Sequence, residues 1–305
     1  MYVTSAEWLD VNYGDLVRRL FAGLLGGLEL RFLDPTAKAF PDAMTSAVIA
    51  GFRVGGTHRV ASLRHVDTVD DLHRKDQARI LPHTTLHASR RWTSLFRATR
   101  AVPQGFIELG ELCRVSRGQV TGSNAVWIFG DHMPHLPASV LRATVTRARE
   151  LIAAGDALRQ LSHLRYVVDL PEDVDALSGR DRQLVETFLQ FATDRGASNS
   201  YIARHRRPWW AVRLHPPAPI LATYMARRPP AFVRNLAGAR HINIAHGLYP
   251  RVPLSSRVLD ALGRHLNTSV TTADGRTYAG RLTKFEPKEM ERLLVPSPEM
   301  LVEAA

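Results

Sequence analysis

The sequence predicts a mixed fold, α/β followed by α+β, and three features of its periodicity indicate this. The first 66 residues combine one helical stripe with short apolar strands, and residues 67–105 lose regular periodicity. Residues 106–305 then alternate strands and helices without an internal repeat. We therefore predict a sheet-forming unit at 1–66, a connector at 67–105 and an α+β module at 106–305.

The first unit begins with a predicted helix in "TSAEWLDVNYGDLVRRLFAGLLGG", with Thr4 or Ser5 as N-cap and Gly26 and Gly27 at its end. Three predicted strands follow, in "LELRFLD", "TSAVIAGFRV" and "HRVASLRHV". Helix, strand, loop and strand are typical of an α/β sheet, but about sixty residues are too few to close one. We expect this sheet to be incomplete.

The second unit follows the connector, which we expect to lie along a surface. "AVWIF" predicts a strand, "PASVLRATVTRARELIAAG" a one-sided helix, and "RYVVDLP" another strand. "RDRQLVETFLQFATDRG" predicts a helix that ends at Gly196. Two further strands, in "PILATYMA" and "HINIAHGLY", and the helix "SSRVLDALGRHL" complete the α+β module.

The chain has a formal net charge of +11 and a pI of about 10.4. Lysine occurs at only four positions, so 36 of the 40 basic residues are arginine, a bias that GC-rich coding explains. The surplus of positive charge itself indicates a polyanionic partner, with nucleic acid first and an anionic membrane second. No apolar run approaches the roughly 18 residues needed to span a membrane, so we predict no membrane partner and a cytoplasmic protein.

Most enzyme motifs are absent from the sequence. "GFRVGGTH" and "RGQVTGSN" lack the GK[ST] of a P-loop, and neither GxGxxG nor GxSxG occurs. In "DHMPH", Pro134 breaks the helix that would align His132 and His135, so we predict no metal site. Cys113 has no partner cysteine and is predicted to be a small core residue.

The nucleic-acid signal is stronger, because arginines and aromatic residues alternate in two short stretches. "SYIARHRRPWWAVRL" places Arg204, Arg206 and Arg207 beside Trp209 and Trp210. "YMARRPPAFVRN" adds three more arginines at Arg227, Arg228 and Arg234. Guanidinium groups bind phosphates, and aromatic rings stack on exposed bases. The alternative is that both tryptophans belong to the core and the arginines form a solvated rim.

The order of these segments resembles TaqI-like adenine-N6 DNA methyltransferases. "YVTSAEWLDVNYGDLVRRLF...LELRFLDPTAKAFPDAMTSAVIAGF" resembles the stretch that follows the catalytic motif in that family. "LGELCRVSRGQVTGSNAVWIF", "HINIAHGLYP" and "LTKFEPKEMERLLVP" resemble its target-recognition domain, which is also similar to type I specificity subunits. The resemblance implies the C-terminal edge of a Rossmann-like methyltransferase sheet followed by an α+β target-recognition domain.

In that family, methyl passes from S-adenosylmethionine to the amine of an adenine flipped out of duplex DNA. The resemblance implies that Phe40 is one of the two aromatic residues that clamp the flipped base. The other belongs to an [DNS]-P-P-[YFW] motif, which "HPPAP" and "RPPAF" do not match, and the cofactor motif is also absent. We therefore expect a C-terminal portion that binds no cofactor alone. A separate chain with the cofactor-binding and catalytic half would complete it.

Two functional hypotheses follow from these observations. The first is a site-specific DNA methyltransferase portion, inactive by itself. The second is a non-catalytic specificity module that serves a separate methyltransferase or a restriction endonuclease. An RNA-binding protein stays as a third possibility, because basic patches do not distinguish the nucleic acids.

Individual residues receive roles on the same basis. "RGQVTGSN" offers donors and acceptors on a glycine-supported backbone, so Arg117, Gln119, Thr121 and Asn124 are recognition-loop candidates, with a polar turn as the alternative. The predicted phosphate contacts are Arg204, Arg206, Arg207, Arg227 and Arg228. The candidates for contact with bases or DNA are further Trp209, Trp210 and Lys284, and for Lys284 a structural role is an equal alternative.

Overall fold

A computed structural model of the chain describes residues 1–33, 40, 46–74, 78–96, 102–278 and 282–303. The chain divides into two compact units. Unit 1 comprises Met1–Ala101 and Thr277–Thr283, and unit 2 comprises Val102–Arg276 and Lys284–Ala305.

Unit 1 contains a five-stranded mixed sheet of order β1-β3-β2-β4-β5. Its elements are β1 (Tyr2–Ser5), α1 (Asp15–Ala22), β2 (Gly27–Leu33), β3 (Ala47–Phe52), β4 (Val60–Val66), β5 (Arg79–Pro82) and α2 (His83–Ala88), with short 3-10 helices at Ala6–Leu9, Asn12–Gly14, Val69–His73 and Thr93–Phe96. β3 runs antiparallel to both β1 and β2, whereas β2 and β4 are parallel. The three predicted strands of this unit are confirmed.

The predicted first helix is correct only in its second half. Tyr2, Val3 and Thr4 favour extended backbone, and they pair with β3 instead of entering a helix. Ser5 is an N-cap as predicted, but of the short 3-10 helix: its Oγ accepts from the Glu7 backbone N–H at 3.3 Å. The regular helix begins only at Asp15.

Residues 67–105, predicted to be a connector, contribute β5 and α2 to this unit. β5 pairs with β4, and Leu86 and Trp92 are fully buried in the same apolar core as Phe21 and Leu30. The Trp92 Nε1–H donates to the Leu86 carbonyl at 2.9 Å. The core of unit 1 therefore depends on residues from this stretch.

Unit 2 is an α+β arrangement built on the five-stranded sheet β7-β15-β11-β13-β9. Its strands are β6 (Phe106–Glu108), β7 (Cys113–Arg117), β8 (Leu141–Val145), β9 (Ala157–Leu158), β10 (Arg165–Val168), β11 (Ile220–Thr223), β12 (Met225–Ala226), β13 (Phe232–Asn235), β14 (Arg240–His241), β15 (Ala245–Pro250) and β18 (Leu294–Pro296). Two strands, β16 (Arg276–Tyr278) and β17 (Leu282–Lys284), lie where the chain passes between the units.

Unit 2 contains eight α-helices in the part of the chain that the structure describes. They are α3 (Leu109–Leu112), α4 (Asn124–Trp127), α5 (Ala148–Ala154), α6 (Gly179–Asp194), α7 (Tyr201–Arg204), α8 (Ser256–Ser269), α9 (Pro287–Met290) and α10 (Pro298–Glu303), with 3-10 helices at Ala138–Val140, Ala197–Asn199 and Thr272–Asp274. One core lies between α8 and the sheet face that carries Val115 and Leu248. A second core surrounds Trp127 and Phe188, and the smaller sheet β10-β8-β14 contributes to it.

Two predicted elements of unit 2 are wrong. "AVWIF" forms the helical turn α4 rather than a strand, because its short apolar run is compatible with either structure and Val126 and Trp127 reach the core from one turn. "PASVLRATVTRARELIAAG" splits into β8 and α5, because Leu141–Val145 pairs with β10 on one side and β14 on the other. Cys113 is fully buried, as predicted, and burial raises its pKa to about 12.

Candidate nucleic-acid interface

The loop at residues 117–124 connects β7 to α4 and depends on two glycines. At Gly118, an added Cβ would lie 2.1 Å from the Ile242 carbonyl oxygen, so only glycine allows this close approach. Gly122 has a φ of +89°, and a Cβ added at this residue would lie 3.0 Å from the Ser200 Oγ. The 117–124 loop is therefore held in one path against the neighbouring backbone.

Arg206 fixes the middle of this loop. Its guanidinium donates to the carbonyl oxygens of Val120 and Thr121, the latter at 3.2 Å. Partial burial, followed by the charge of Arg213, lowers the pKa of Arg206. We predicted Arg206 to contact phosphate, but in this structure two of its nitrogens bind the protein's own backbone.

Side chains within the loop divide into internal and exposed groups. Thr121 is buried and donates its hydroxyl to the Asn124 Oδ1 at 2.7 Å, and the Gln119 Nε2 donates to the Val212 carbonyl at 3.1 Å. Arg117 and Asn124 are exposed. Of the four predicted recognition residues, these two face solvent, and the other two stabilise the loop.

The arginines beside Arg206 are available to a partner. Arg204 ends α7 and Arg207 follows Arg206, and both are exposed. Neither forms an ion pair with any acidic residue in the part of the chain that the structure describes. Because Arg206 binds the loop, these two exposed arginines lie next to it.

Trp209 and Trp210 are half-buried and pack against the core around Trp127. The Trp209 ring lies 6.2 Å from Trp127, and the Trp210 Nε1–H donates to the Pro171 carbonyl at 3.1 Å. This placement agrees with the core alternative of the sequence analysis. A stacking role for the remaining exposed parts of these rings stays a prediction.

The second arginine group also divides. Arg227 and Arg228 are exposed and follow Tyr224, over whose ring the Arg117 guanidinium lies at 5.4 Å. Arg234, in contrast, is 7% exposed and binds Asp260 at 2.6 Å and the Pro219 carbonyl at 2.8 Å. Nothing in the sequence distinguishes Arg234 from its neighbours in this respect.

Lys284 lies at the end of β17 and forms an ion pair with Glu286 at 2.5 Å. Burial raises the pKa of Glu286, but the hydrogen bond from Lys284 and the charges of Lys284 and Arg117 outweigh it, so the pKa lies below its usual value. The charge of Lys284 is thus partly compensated within the protein.

The sequence contains one further indication of the candidate interface, which is a long stretch without acidic residues. Residues 195–259 contain eleven arginines and neither aspartate nor glutamate. This stretch holds most of the arginines discussed above, and it includes β11, β13 and β15 of the main sheet. Arg204, Arg207, Arg227 and Arg228 therefore lie ten or more residues from the nearest aspartate or glutamate in the sequence.

The described residues contain no group of three or more histidine, cysteine or acidic side chains arranged to bind a metal. Within the same residues, no helix has both the length and the apolarity needed to cross a bilayer. Phe40 is 41% exposed, but the residues on either side of it lie outside the described ranges.

Comparison with known proteins identifies the family. Residues 84–305 match the C-terminal domain of type II methyltransferase M.Eco57I. Type II methyltransferase M.XamI from Xanthomonas campestris pv. amaranthicola is 51% identical over 300 residues, which are 98% of this chain and 57% of the relative. M.AccI from Acinetobacter calcoaceticus is 19% identical over 311 residues, again covering 57% of the relative and 95% of this chain.

Two solved structures are also similar. The type IIG restriction endonuclease BpuSI matches 99% of this chain and 41% of its own, with a TM-score of 0.43 and 11% identity. The type IIL restriction-modification enzyme MmeI in complex with DNA matches 86% of this chain and 34% of its own, with a TM-score of 0.47 and 12% identity. This chain spans 57% of the length of each of the two curated relatives. The match over residues 84–305 and the identity to M.XamI confirm the predicted family: the chain belongs to the type II methyltransferases.

Proposed function

We propose that this chain is the DNA-recognition portion of a site-specific adenine-N6 DNA methyltransferase. The observation that carries the proposal is the convergence, within unit 2, of the 117–124 loop with both exposed arginine groups. Arg206 connects the loop to Arg204 and Arg207, and Arg117 connects it to Tyr224 and the arginines that follow. A glycine-supported loop flanked by exposed arginines is suited to a groove of duplex DNA.

In this proposal the exposed residues have two roles. Arg204, Arg207, Arg227 and Arg228 bind phosphates and thereby position the duplex, a contact that carries no sequence information. Arg117 and Asn124 lie on the loop itself and contact base edges. The buried polar groups of the loop keep its path fixed, so that the exposed groups stay in place.

Unit 1 supports the assignment to a methyltransferase sheet edge. β1 lies at the edge of the sheet, all four of its residues are exposed, and Tyr2 and Val3 are 63% and 56% exposed. On α1 and after it, Leu16 and Leu24 are 61% and 79% exposed. Exposed apolar groups on the edge strand β1 and around α1 favour a protein partner, and we propose the cofactor-binding and catalytic half as that partner.

S-adenosylmethionine supplies the methyl group in such enzymes, and the described residues of unit 1 do not fit a site for it. The glycine-rich turn at Gly55 and Gly56 joins β3 to β4, whereas a cofactor loop of this type joins a strand to the N-terminus of a helix. We therefore assign no step of methyl transfer to this chain. Its proposed roles are to select the site and, through Phe40, to stack on the flipped adenine.

Salt-dependent binding to duplex DNA tests the recognition role. The replacement R204A/R207A removes two phosphate contacts, so we expect weaker binding to all sequences and a slope of log K against log salt that is smaller by about 2. The matched control is R264A/R292A, which removes two exposed arginines of unit 2 outside residues 195–259 with the same change in charge. Fluorescence anisotropy across a salt series measures both slopes.

Equal slopes for the two double variants would contradict the proposal, since binding would then depend on net charge alone. Competition binding with duplex DNA and structured RNA tests the alternative that the chain binds RNA.

The second candidate function is a non-catalytic specificity module, favoured by the location of every proposed phosphate contact in unit 2. Isothermal titration with S-adenosylmethionine addresses the cofactor: tight binding by this chain would contradict the assignment of the cofactor to another half.

A further inference from the structure

Arg117 is an exposed arginine whose guanidinium lies over an aromatic ring at the start of the 117–124 loop. It is the last residue of β7 and the first of the 117–124 loop, and its guanidinium carbon lies 5.4 Å from the centre of the Tyr224 ring. Its side chain makes no hydrogen bond or ion pair of its own with any described residue. A guanidinium that lies over an aromatic ring and binds no protein acceptor keeps its N–H groups for a ligand.

Contacts with buried groups fix the position of Tyr224. Its ring lies 5.0 Å from the ring of His246, which is fully buried on β15 directly opposite Arg117 in the strand register. One ring nitrogen of His246 lies 2.8 Å from the Phe285 carbonyl, and the Phe285 backbone N–H donates to the Tyr224 carbonyl at 2.8 Å. His246 on β15 and Phe285 after β17 therefore hold in place the ring that Arg117 contacts.

We propose that Arg117 recognises a guanine in the major groove of duplex DNA, and that Tyr224 is the residue that positions its guanidinium. This inference rests on the proposed function and adds the base and the positioning residue to it. Guanine presents two acceptors, O6 and N7, whose spacing matches two parallel N–H groups of a guanidinium. An arginine already held over a ring loses less freedom on forming this bidentate pair than an arginine that must first be ordered.

The same strand provides a matched control. Arg114 lies over the Tyr249 ring, also at 5.4 Å, and is also exposed. Successive side chains of a strand point to opposite faces, so Arg114, three residues before Arg117, lies on the opposite face of the sheet. The two arginines share residue type, strand and distance from an aromatic ring, and only Arg117 begins the 117–124 loop.

The test uses the whole chain and a library of duplex DNA whose central segment is randomised. Bound molecules are sequenced for the wild type and for R117K, R114K, Y224F and Y224A. R117K keeps the charge but loses the fork, so we expect the preference for guanine to fall about tenfold or more at one position of the motif, with the other positions unchanged. R114K and Y224F should keep the wild-type motif, and Y224A should lose the same position as R117K.

A second probe checks the atom that is bound. In the selected duplex, 7-deazaguanine at the identified position removes the N7 acceptor, and this should weaken binding by the wild type more than binding by R117K. Thermal unfolding of each variant separates loss of recognition from loss of folding, because the inference requires R117K to unfold at the wild-type temperature.

The outcomes distinguish this inference from the proposed function. A wild-type chain without salt-dependent binding to duplex DNA would contradict both. Salt-dependent binding with no enriched motif, with a motif that R117K leaves unchanged, or with a uniform loss at all positions would overturn the guanine assignment alone. A motif changed by R117K but not by Y224A would overturn the role of Tyr224.

Discussion

The two units expose different chemistry to solvent although their charge surplus is similar. Residues 1–101 contain 14 basic and 10 acidic side chains, and residues 102–305 contain 26 and 19, so each part carries about the same surplus for its length. Unit 1, with about half as many residues as unit 2, nevertheless has more of the exposed large apolar side chains in the described ranges. Unit 2 instead concentrates its arginines in residues 195–259, where no acidic residue occurs.

The difference shows that net charge alone does not locate a binding surface. Exposed apolar groups such as Leu16 and Leu24 are costly in water and are typical of contact with another protein. Exposed arginines without acidic neighbours attract polyanions. We infer that unit 1 contacts protein and unit 2 contacts nucleic acid, and three measurements separate the units further.

Acid should destabilise unit 2 through two buried histidines, the largest effect that we expect. His241 and His246 are fully buried, and both ring nitrogens of His241 have no hydrogen-bond partner among the described residues. Burial, followed for His241 by the charges of His215 and His246, lowers the pKa of each to about 4. The unfolded chain, with a histidine pKa of about 6.5, therefore binds protons that the folded unit does not.

Above about pH 6.5 both states leave these histidines neutral, and the free energy of unfolding is at its full value. As the pH falls from about 6.5 toward 4, the free energy of unfolding decreases by roughly 3 kcal/mol for each histidine. Urea unfolding near pH 7.5 and near pH 4.5, followed by pulse proteolysis and peptide mapping, reports each unit separately. The control H241L lacks the titrating ring and should show a weaker pH dependence. A pH dependence of unit 2 that H241L leaves unchanged would contradict the assignment to His241.

Replacement of Trp92 should act on unit 1 alone and is the next largest effect. Trp92 is 1% exposed and packs edge-on against Trp8 at 5.9 Å and Phe21 at 5.8 Å. W92A leaves a large cavity, so the free energy of unfolding of unit 1 should fall by about 4 kcal/mol, whereas W92F should cost less. The same proteolysis experiment measures both units, and an equal loss in unit 2 would show that the two cores are not independent.

The sequence predicted much of the fold where one periodicity was strong. β2, β3, β4, α6 and α8 follow from alternation or from a helical stripe that tertiary packing agrees with. It did not predict that Trp92 belongs to the core of unit 1, because the polar stretch around this residue shows no period. Burial there results from contact with Trp8 and Phe21, which are distant in sequence.

The candidate interface was predictable as a set of residues but not as a division of roles. Arg206, Arg207 and Arg234 have the same side chain, and only the structure shows that Arg206 binds loop carbonyls and that Arg234 binds Asp260. Partners this far apart in sequence cannot be paired from composition. Tyr224 was missed for the same reason, because its contact with Arg117 spans more than a hundred residues.

Replacement of exposed apolar side chains of unit 1 should have the smallest effect on stability, and it tests whether this surface contacts protein. Leu16 and Leu24 are largely in water, so L16Q/L24Q should change the free energy of unfolding by less than about 0.5 kcal/mol. If this surface contacts protein, the variant should self-associate less with rising concentration in sedimentation velocity. The control L236Q/V252Q alters two exposed apolar side chains of unit 2 and should leave self-association unchanged, because isolated exposed apolar groups are ordinary on protein surfaces. Equal behaviour of the two pairs would remove the distinction between the surfaces of the two units.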